Sequence, residues 1–316
     1  MLAPMEDVSD PPFRAVCKDQ GADMMYTEFI SAEGLIRDAQ KSVHKLDIYD
    51  NERPVGIQIF GDKIESMRLA AGVAEKSNPE LVDINYGCPV KKVAGKGAGA
   101  GILLDLPKMQ QMTDEIVKQV SLPVTVKTRL GWDEHSIKIL EVVQRLQDVG
   151  IQAITIHGRT RAQMYKGEAN WDHIAEVKHH PSIHIPVFGN GDINSPEKAL
   201  EYKEKYEVDG IMIGRASIGN PWIFRDIKHY FKTGELLPIP DIQERVAVVK
   251  KHLRFSLEWK GTRVGINEMR RHYTAYFKGI PDFKPFRSQL VHIDEVDRLF
   301  ELLDEIEEVF QPKVPG

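Results

Sequence analysis

Leu81-Val82-Asp83-Ile84-Asn85-Tyr86-Gly87-Cys88-Pro89 runs a short, largely apolar stretch straight into a glycine–cysteine–proline loop. Such a stretch is too short for a helix and is closed by residues that interrupt regular structure, so it reads as a buried strand. The same unit recurs. Residues 2–5, 25–30, 55–60, 123–128, 153–157, 186–189 and 210–213 are comparable short runs, all but the first with β-branched residues, making eight with 81–85. Between most of them, as at 64–75 and 137–149, apolar residues fall three and four apart and predict helices. Strands and helices in alternation predict a (β/α)8 TIM barrel over residues 1–235. A doubly wound open sheet would show a glycine-rich turn after its first strand, and Ala3-Pro4-Met5-Glu6 is not one. Barrels usually have a lead-in before that strand, which predicts a native chain longer at its N-terminus.

After Gly234 the pattern changes. Leu236-Leu237-Pro238-Ile239-Pro240 reads as a linker, because its two prolines resist both helix and sheet. Beyond it helices are expected at 246–257, 267–277 and 295–310, the last with Leu299, Leu302, Leu303, Ile306 and Phe310 on one face. Residues 241–316 are therefore expected to form an all-helical C-terminal domain.

Composition narrows the classes. The chain of 316 residues is 42% hydrophobic and 28% charged, ordinary for a globular protein. It lacks an apolar run long enough for a membrane span, and its first residues lack the basic and apolar regions of a signal peptide. Its two cysteines, Cys17 and Cys88, form no CxxC pair, so neither a disulfide framework nor a structural metal is expected. A reduced, cytoplasmic protein is the resulting expectation. The net charge of −5 argues against a polyanionic partner for the molecule as a whole, but not for a local basic face.

In a TIM barrel the residues just past each strand build the active site. Here they are Pro4-Met5, Gln58, Asn85 with Cys88, Lys127 with Arg129, His157 with Arg159, Asn190-Gly191-Asp192, and Gly214-Arg215. The last two groups close the seventh and eighth strands, where glycines and an arginine predict a phosphate site. Lys127 interrupts an apolar strand and is expected to aim its charge at a bound group. Cys17 reads as a buried hydrophobe. Cys88, held on a loop between glycine and proline, could be nucleophile, acid or redox group. Residues 91–101 are basic and glycine-rich but lack the Gly-Lys-Ser/Thr ending of a P-loop, and read instead as a mobile lid. His179, His180 and His184 read as a solvated loop, not a metal site.

In combination these residues resemble one family. The segments Asp83-Ile84-Asn85-Tyr86-Gly87-Cys88-Pro89, Val126-Lys127-Thr128-Arg129, Thr155-Ile156-His157-Gly158-Arg159-Thr160-Arg161, Asn190-Gly191-Asp192 and Ile213-Gly214-Arg215 are similar to the tRNA-dihydrouridine synthases, the bacterial B-type branch above all. Gly219-Asn220-Pro221-Trp222 and Met269-Arg270-Arg271-His272-Tyr273 extend the likeness into the C-terminal part. Lys96-Gly97-Ala98-Gly99-Ala100-Gly101 is one residue longer and richer in glycine than the family's segment.

The resemblance implies an FMN-bound barrel that reduces uridine in the D-loop of tRNA with NADPH. It implies flavin contacts from Pro4, Met5, Glu6, Gln58, Lys127 and His157, and a phosphate and ribityl site at Asn190, Gly191, Asp192, Gly214 and Arg215. Hydride would pass from flavin N5 to C6 of uracil, and Cys88 would protonate C5. Asn85, Arg129, Arg159, Arg161, Lys91, Lys92, Arg270, Arg271 and His272 are the expected substrate contacts of a monomeric enzyme. Residues 263–287 carry six Lys and Arg against Glu268 and Asp282, interleaved with Tyr273, Tyr276 and Phe277, as an RNA-binding face would. Two other readings compete. One is a small-molecule flavin dehydrogenase similar to the dihydroorotate dehydrogenases; the other is an RNA-binding protein that keeps the barrel as scaffold.

Overall fold

A computed structural model describes residues 1–311; the last five residues of the expected helical domain lie outside the described residues. Parallel strands β1 (Met25–Tyr26) and β2 (Ile30–Ser31) both pair with β3 (Val55–Phe60), and β4 (Leu81–Tyr86), β5 (Val124–Arg129), β6 (Ala153–His157), β7 (Val187–Asn190) and β8 (Gly210–Met212) follow β3 one after another around a curled sheet. The sheet closes through the N-terminal residues: Leu2 bridges Ile213 on one side and donates its N–H to Met24 O at 2.9 Å on the other. The protein is a TIM barrel with C-terminal helices.

Two of the expected strands are shorter than the sequence suggests. The run at 2–5 pairs only at Leu2 and Ala3, because Pro4 has no N–H and Met5 N–H donates to Ser9 Oγ at 2.8 Å, which turns the chain away. The run at 25–30 is split into β1 and β2. Between them the Thr27 hydroxyl takes the place of a ladder carbonyl, accepting from Gln58 N–H at 3.1 Å and donating to Glu28 O at 2.8 Å.

The helices shield the sheet. Asp10 caps α1 (Pro11–Asp19) by accepting from Phe13 N–H, and two prolines open its first turn, where no backbone donor is needed. In α2 (Ile64–Lys76), Met67, Ala70, Ala71 and Ala74 fall on one buried face. The outer ring continues with α3 (Leu106–Gln119), α4 (Ile139–Asp148), α5 (Asp172–His179), α6 (Pro196–Tyr206) and α7 (Ile223–Thr233). Residues 235–241 have no regular structure, and α8 (Ile242–Lys260), α9 (Thr262–Tyr276), α10 (Lys284–Leu290) and α11 (Val296–Phe310) follow. These four helices share a separate apolar core to which Leu299, Leu302, Leu303 and Ile306 are fully buried contributors. Each such side chain stabilises by about 1.5–3 kcal/mol relative to exposure. Among the described residues no helix is long and apolar enough to cross a membrane.

Candidate active site

The strand ends open into one cavity of about 920 Å³, within the roughly 300–1,000 Å³ usual for small-molecule sites. It is walled by Pro4, Met5 and Glu6 from the N-terminal stave, and Asn85 and Cys88 from β4 and its loop. Lys127 and Arg129 enter from β5, His157 and Arg159 from β6, Asn190–Asp192 from β7, and Gly214 and Arg215 beyond β8. Gln58 does not reach it. Its fully buried side chain sits behind Asn85, whose Nδ2 donates to Gln58 Oε1 at 2.8 Å.

Cys88 is 7% exposed at the cavity wall. Asn85 Oδ1 accepts from its N–H at 2.8 Å and from Gly87 N–H at 3.0 Å, which fixes the loop to the end of β4. Burial pushes the thiol up, against the pull of the Val90 N–H and the Arg129 charge, so Sγ keeps its proton at neutral pH. That protonation state suits an acid better than a nucleophile. The basic, glycine-rich stretch behind it is not an open lid. Lys91 and Lys92 lie exposed on a single helical turn, but Ala98–Leu103 is packed in, with Gly99 against Cys88.

Lys127 points its ammonium into the cavity wall, where it makes no hydrogen bond or ion pair among the described residues. Burial and the neighbouring Arg129 lower it to about 8. His157 is neutral, because burial and the cations of Arg129, Lys127 and Arg159 hold it well below its ordinary pKa. Arg159 Nη1 can only donate and lies 3.3 Å from Nε2, so the ring keeps its proton on Nδ1.

Beyond them an arginine–carboxylate pair shapes the far end. Arg159, 2% exposed, donates to Asp192 Oδ2 at 2.7 Å and to Gly167 O at 2.5 Å. Asp192 also accepts from Ala169 N–H at 2.8 Å and faces Arg215 at 3.4 Å. Burial would raise its carboxyl, but the Ala169 N–H and Arg159 outweigh that and keep it below the usual range. Asp192 lines the cavity as an acceptor-only carboxylate that holds Arg159 and faces Arg215. Gly191 supplies backbone at φ 127°, where a Cβ would stand 2.6 Å from that of Ala169.

A family model for dihydrouridine synthases (Dus) matches residues 1–312. The chain belongs to the dihydrouridine synthase family. It is 39% identical over 295 residues to tRNA-dihydrouridine synthase B of Pseudomonas putida, spanning 93% of this chain and 87% of that protein. To the probable tRNA-dihydrouridine synthase 1 of Synechocystis it is 40% identical over 306 residues, 96% of this chain and 85% of that one. Among solved structures, histamine dehydrogenase from Rhizobium superposes with a TM-score of 0.54 at 11% identity, over 80% of this chain and 48% of that chain. The 6-hydroxypseudooxynicotine amine oxidase of Pseudomonas geniculata gives 0.57 at 13% identity, over 79% and 50%. At such identities the likeness is one of fold, the barrel. Family membership makes the protein an enzyme and bears out the resemblance read from its motifs.

Within this dihydrouridine synthase one expected C-terminal substrate contact, His272, lies in the interior. His272 is buried between Phe13 and His252, at ring distances of 5.3 and 4.7 Å, and offers nothing to a partner. Tyr273, Tyr276 and Phe277 are core residues as well. Arg270 is paired with Asp294 at 2.6 Å, and Arg271 donates to the Asp7 carbonyl, which ties α9 to the barrel. Arg161 stacks on the Trp132 ring at 4.5 Å, away from the cavity lining. By contrast Arg263, Lys278, Lys284 and Arg287 are exposed and form no ion pair among the described residues. The sequence reading missed Tyr165, which lines the cavity with Arg215 4.9 Å and Arg129 5.7 Å from its ring. It also missed Lys198, in the first turn of α6. Both lie on stretches that follow strand ends, only farther along than the motif residues.

Proposed function

We propose that this enzyme reduces uridine to 5,6-dihydrouridine in the D-loop of tRNA, with FMN in the barrel cavity and NADPH as reductant. One observation carries the reading: a buried thiol that keeps its proton and a half-buried ammonium with no hydrogen-bond or ion-pair partner among the described residues share one cavity. The ammonium asks for an anionic or electron-rich group, and the thiol offers a proton beside it.

The residues fit FMN. Lys127 and neutral His157 would face the ring, Pro4, Met5 and Glu6 would form its wall, and Gln58 would act through Asn85. Asn190, Gly191, Gly214 and Arg215 would hold the ribityl phosphate, with Asp192 and Arg159 bracing them. When bound, FMN supplies the hydride that reaches C6 of the uracil. The chain's own part is the proton, which Cys88 Sγ gives to C5; such general acid catalysis is worth about 10²–10⁴-fold. Asn85 and Arg129 line the side from which a base would enter. Because that base must leave its stack, the enzyme has to hold it flipped.

Exposed Lys91 and Lys92 beyond the Cys88 loop, with Arg263, Lys278, Lys284 and Arg287 on the helices, suit phosphate contacts along a folded RNA. Residues 241–316 are accordingly proposed as the tRNA-binding domain of a cytoplasmic, monomeric enzyme. Purified protein should show a flavin absorption spectrum, and tRNA from cells without the gene should lack dihydrouridine at one D-loop position. Colourless protein and unchanged tRNA would overturn the proposal.

A further inference from the structure

The polar side chains behind the cavity wall stand in single file. Asp83 sits in β4 with Gln58 of β3 and Thr125 of β5 as its register partners, so all three side chains share one face of the sheet. Asp83, 2% exposed, accepts from Gln58 Nε2 at 2.6 Å and from the Thr125 hydroxyl at 2.5 Å. Gln58 Oε1 accepts from Asn85 Nδ2 at 2.8 Å, and Asn85 Oδ1 accepts from the N–H groups of Gly87 and Cys88.

The two ends of this file have fixed polarity. A carboxylate only accepts, and a backbone N–H only donates. Each amide between them could be inserted in either sense, but only one sense satisfies every partner. Reversing Gln58 would set its oxygen against the Asp83 carboxylate. Reversing Asn85 would set its NH2 against two backbone donors. Burying a carboxylate is unfavourable unless it is hydrogen-bonded and charge-compensated; here the Lys127 charge and two hydrogen bonds offset that cost, and one of those bonds is the one that orients Gln58.

We infer that Asp83 is a positioning residue for Cys88: its carboxylate sets the sense of the Gln58 and Asn85 amides, and Asn85 thereby pins the Cys88 backbone at the cavity wall. The inference rests on the proposed function only in treating Cys88 as the working group.

Three isosteric variants of the full-length protein test it. In Asp83→Asn, the new oxygen still faces Gln58 and the new NH2 turns to Thr125, whose hydroxyl can accept, so the file survives. In Asn85→Asp, Gln58 lies between two carboxylates with only one NH2 to give, so one contact becomes repulsive. In the double variant Gln58 can reverse, taking a bond from Asn at 83 and donating to Asp at 85, and every group is again paired. Amide hydrogen exchange of the peptide containing Gly87 and Cys88, followed by mass spectrometry, reads the outcome without reference to turnover.

Exchange in Asp83→Asn should stay within about twofold of wild type, rise roughly tenfold in Asn85→Asp, and return to within about threefold in the double variant. Wild-type exchange in Asn85→Asp, or a double variant equal to the product of the singles, would overturn the relay. Should Asn85→Asp not fold, Gln58→Met breaks the file without adding charge and should speed the same two amides; unchanged exchange there overturns it equally. Full turnover by a Cys88→Ala variant would remove the acid role and leave this exchange pattern standing, so the two failures are distinguishable.

Discussion

Gly99 lies so close to Cys88 that a Cβ on it would stand 2.9 Å from both the Cys88 Cβ and the Cys88 carbonyl oxygen. The contact is fixed from the other side by Ala100 N–H, which donates to that carbonyl at 3.0 Å. Gly99 also has φ +52°, a conformation that disfavours a side chain. Gly99→Ala is therefore expected to destabilise the protein by about 1–3 kcal/mol and to displace Cys88. Thermal unfolding and the alkylation rate of Cys88 would register both effects, and a variant unchanged in both would contradict the packing.

Cys88→Ala should keep its flavin and lose at least about a hundredfold in turnover on tRNA. Since burial raises the Cys88 thiol, alkylation of wild-type protein should climb only above the pH at which an ordinary cysteine ionises, with fully buried Cys17 contributing little. Fast alkylation at pH 7 would show a thiolate and remove the acid role.

Lys127 makes a prediction with opposite signs for stability and function. Its ammonium is lowered to about 8 from an ordinary value near 10.5, so without a ligand the charged form is a burden on the fold. That burden is fully present below about pH 8 and is relieved as pH rises from there towards the unfolded value. At pH 7 Lys127→Met should stabilise flavin-free protein, by up to about 3 kcal/mol, and weaken flavin binding. Denaturant unfolding and flavin titration check the two halves; a destabilised apoprotein would mean that the ammonium has a partner within the fold.

Asp192 holds Arg159, and its lowered carboxyl contributes stability present above the unfolded carboxylate value and lost as pH falls through the folded one. Asp192→Ala would leave the buried Arg159 guanidinium without its carboxylate, at a cost of about 2–4 kcal/mol. Its unfolding free energy should also lose part of the wild-type fall between pH 5 and 3, to be measured in denaturant at each pH. A wild-type profile would assign that fall to other groups.

Charge reversal at Lys278, Lys284 and Arg287 should weaken tRNA binding and reduce the slope of log affinity against log salt by roughly one unit for each phosphate the protein no longer neutralises. Reversal of Arg270 should act mainly on stability, because it breaks the pair with Asp294. If Arg270 proved the stronger determinant of the salt slope, the proposed face would be misplaced.

The alternation of short β-branched runs with helical stretches was sufficient for the barrel, because burial on both faces of a parallel strand is written locally, residue by residue. The chemical ends of those strands were legible for the same reason, and so were Cys88, Lys127 and Arg215 as members of one site. Other features depended on partners that only the tertiary structure supplies. Arg159 read as a substrate contact until β6 and β7 came into register and set it against Asp192. Gln58 read as a cavity residue until the sheet placed it behind Asn85. His272 and its neighbouring tyrosines read as a surface until α8 and α9 folded them inward against α1. Strand identity is a property of a few consecutive residues. The direction and pairing of a polar side chain depend on groups tens of positions away, and sheet register and helix packing decide which of them it meets.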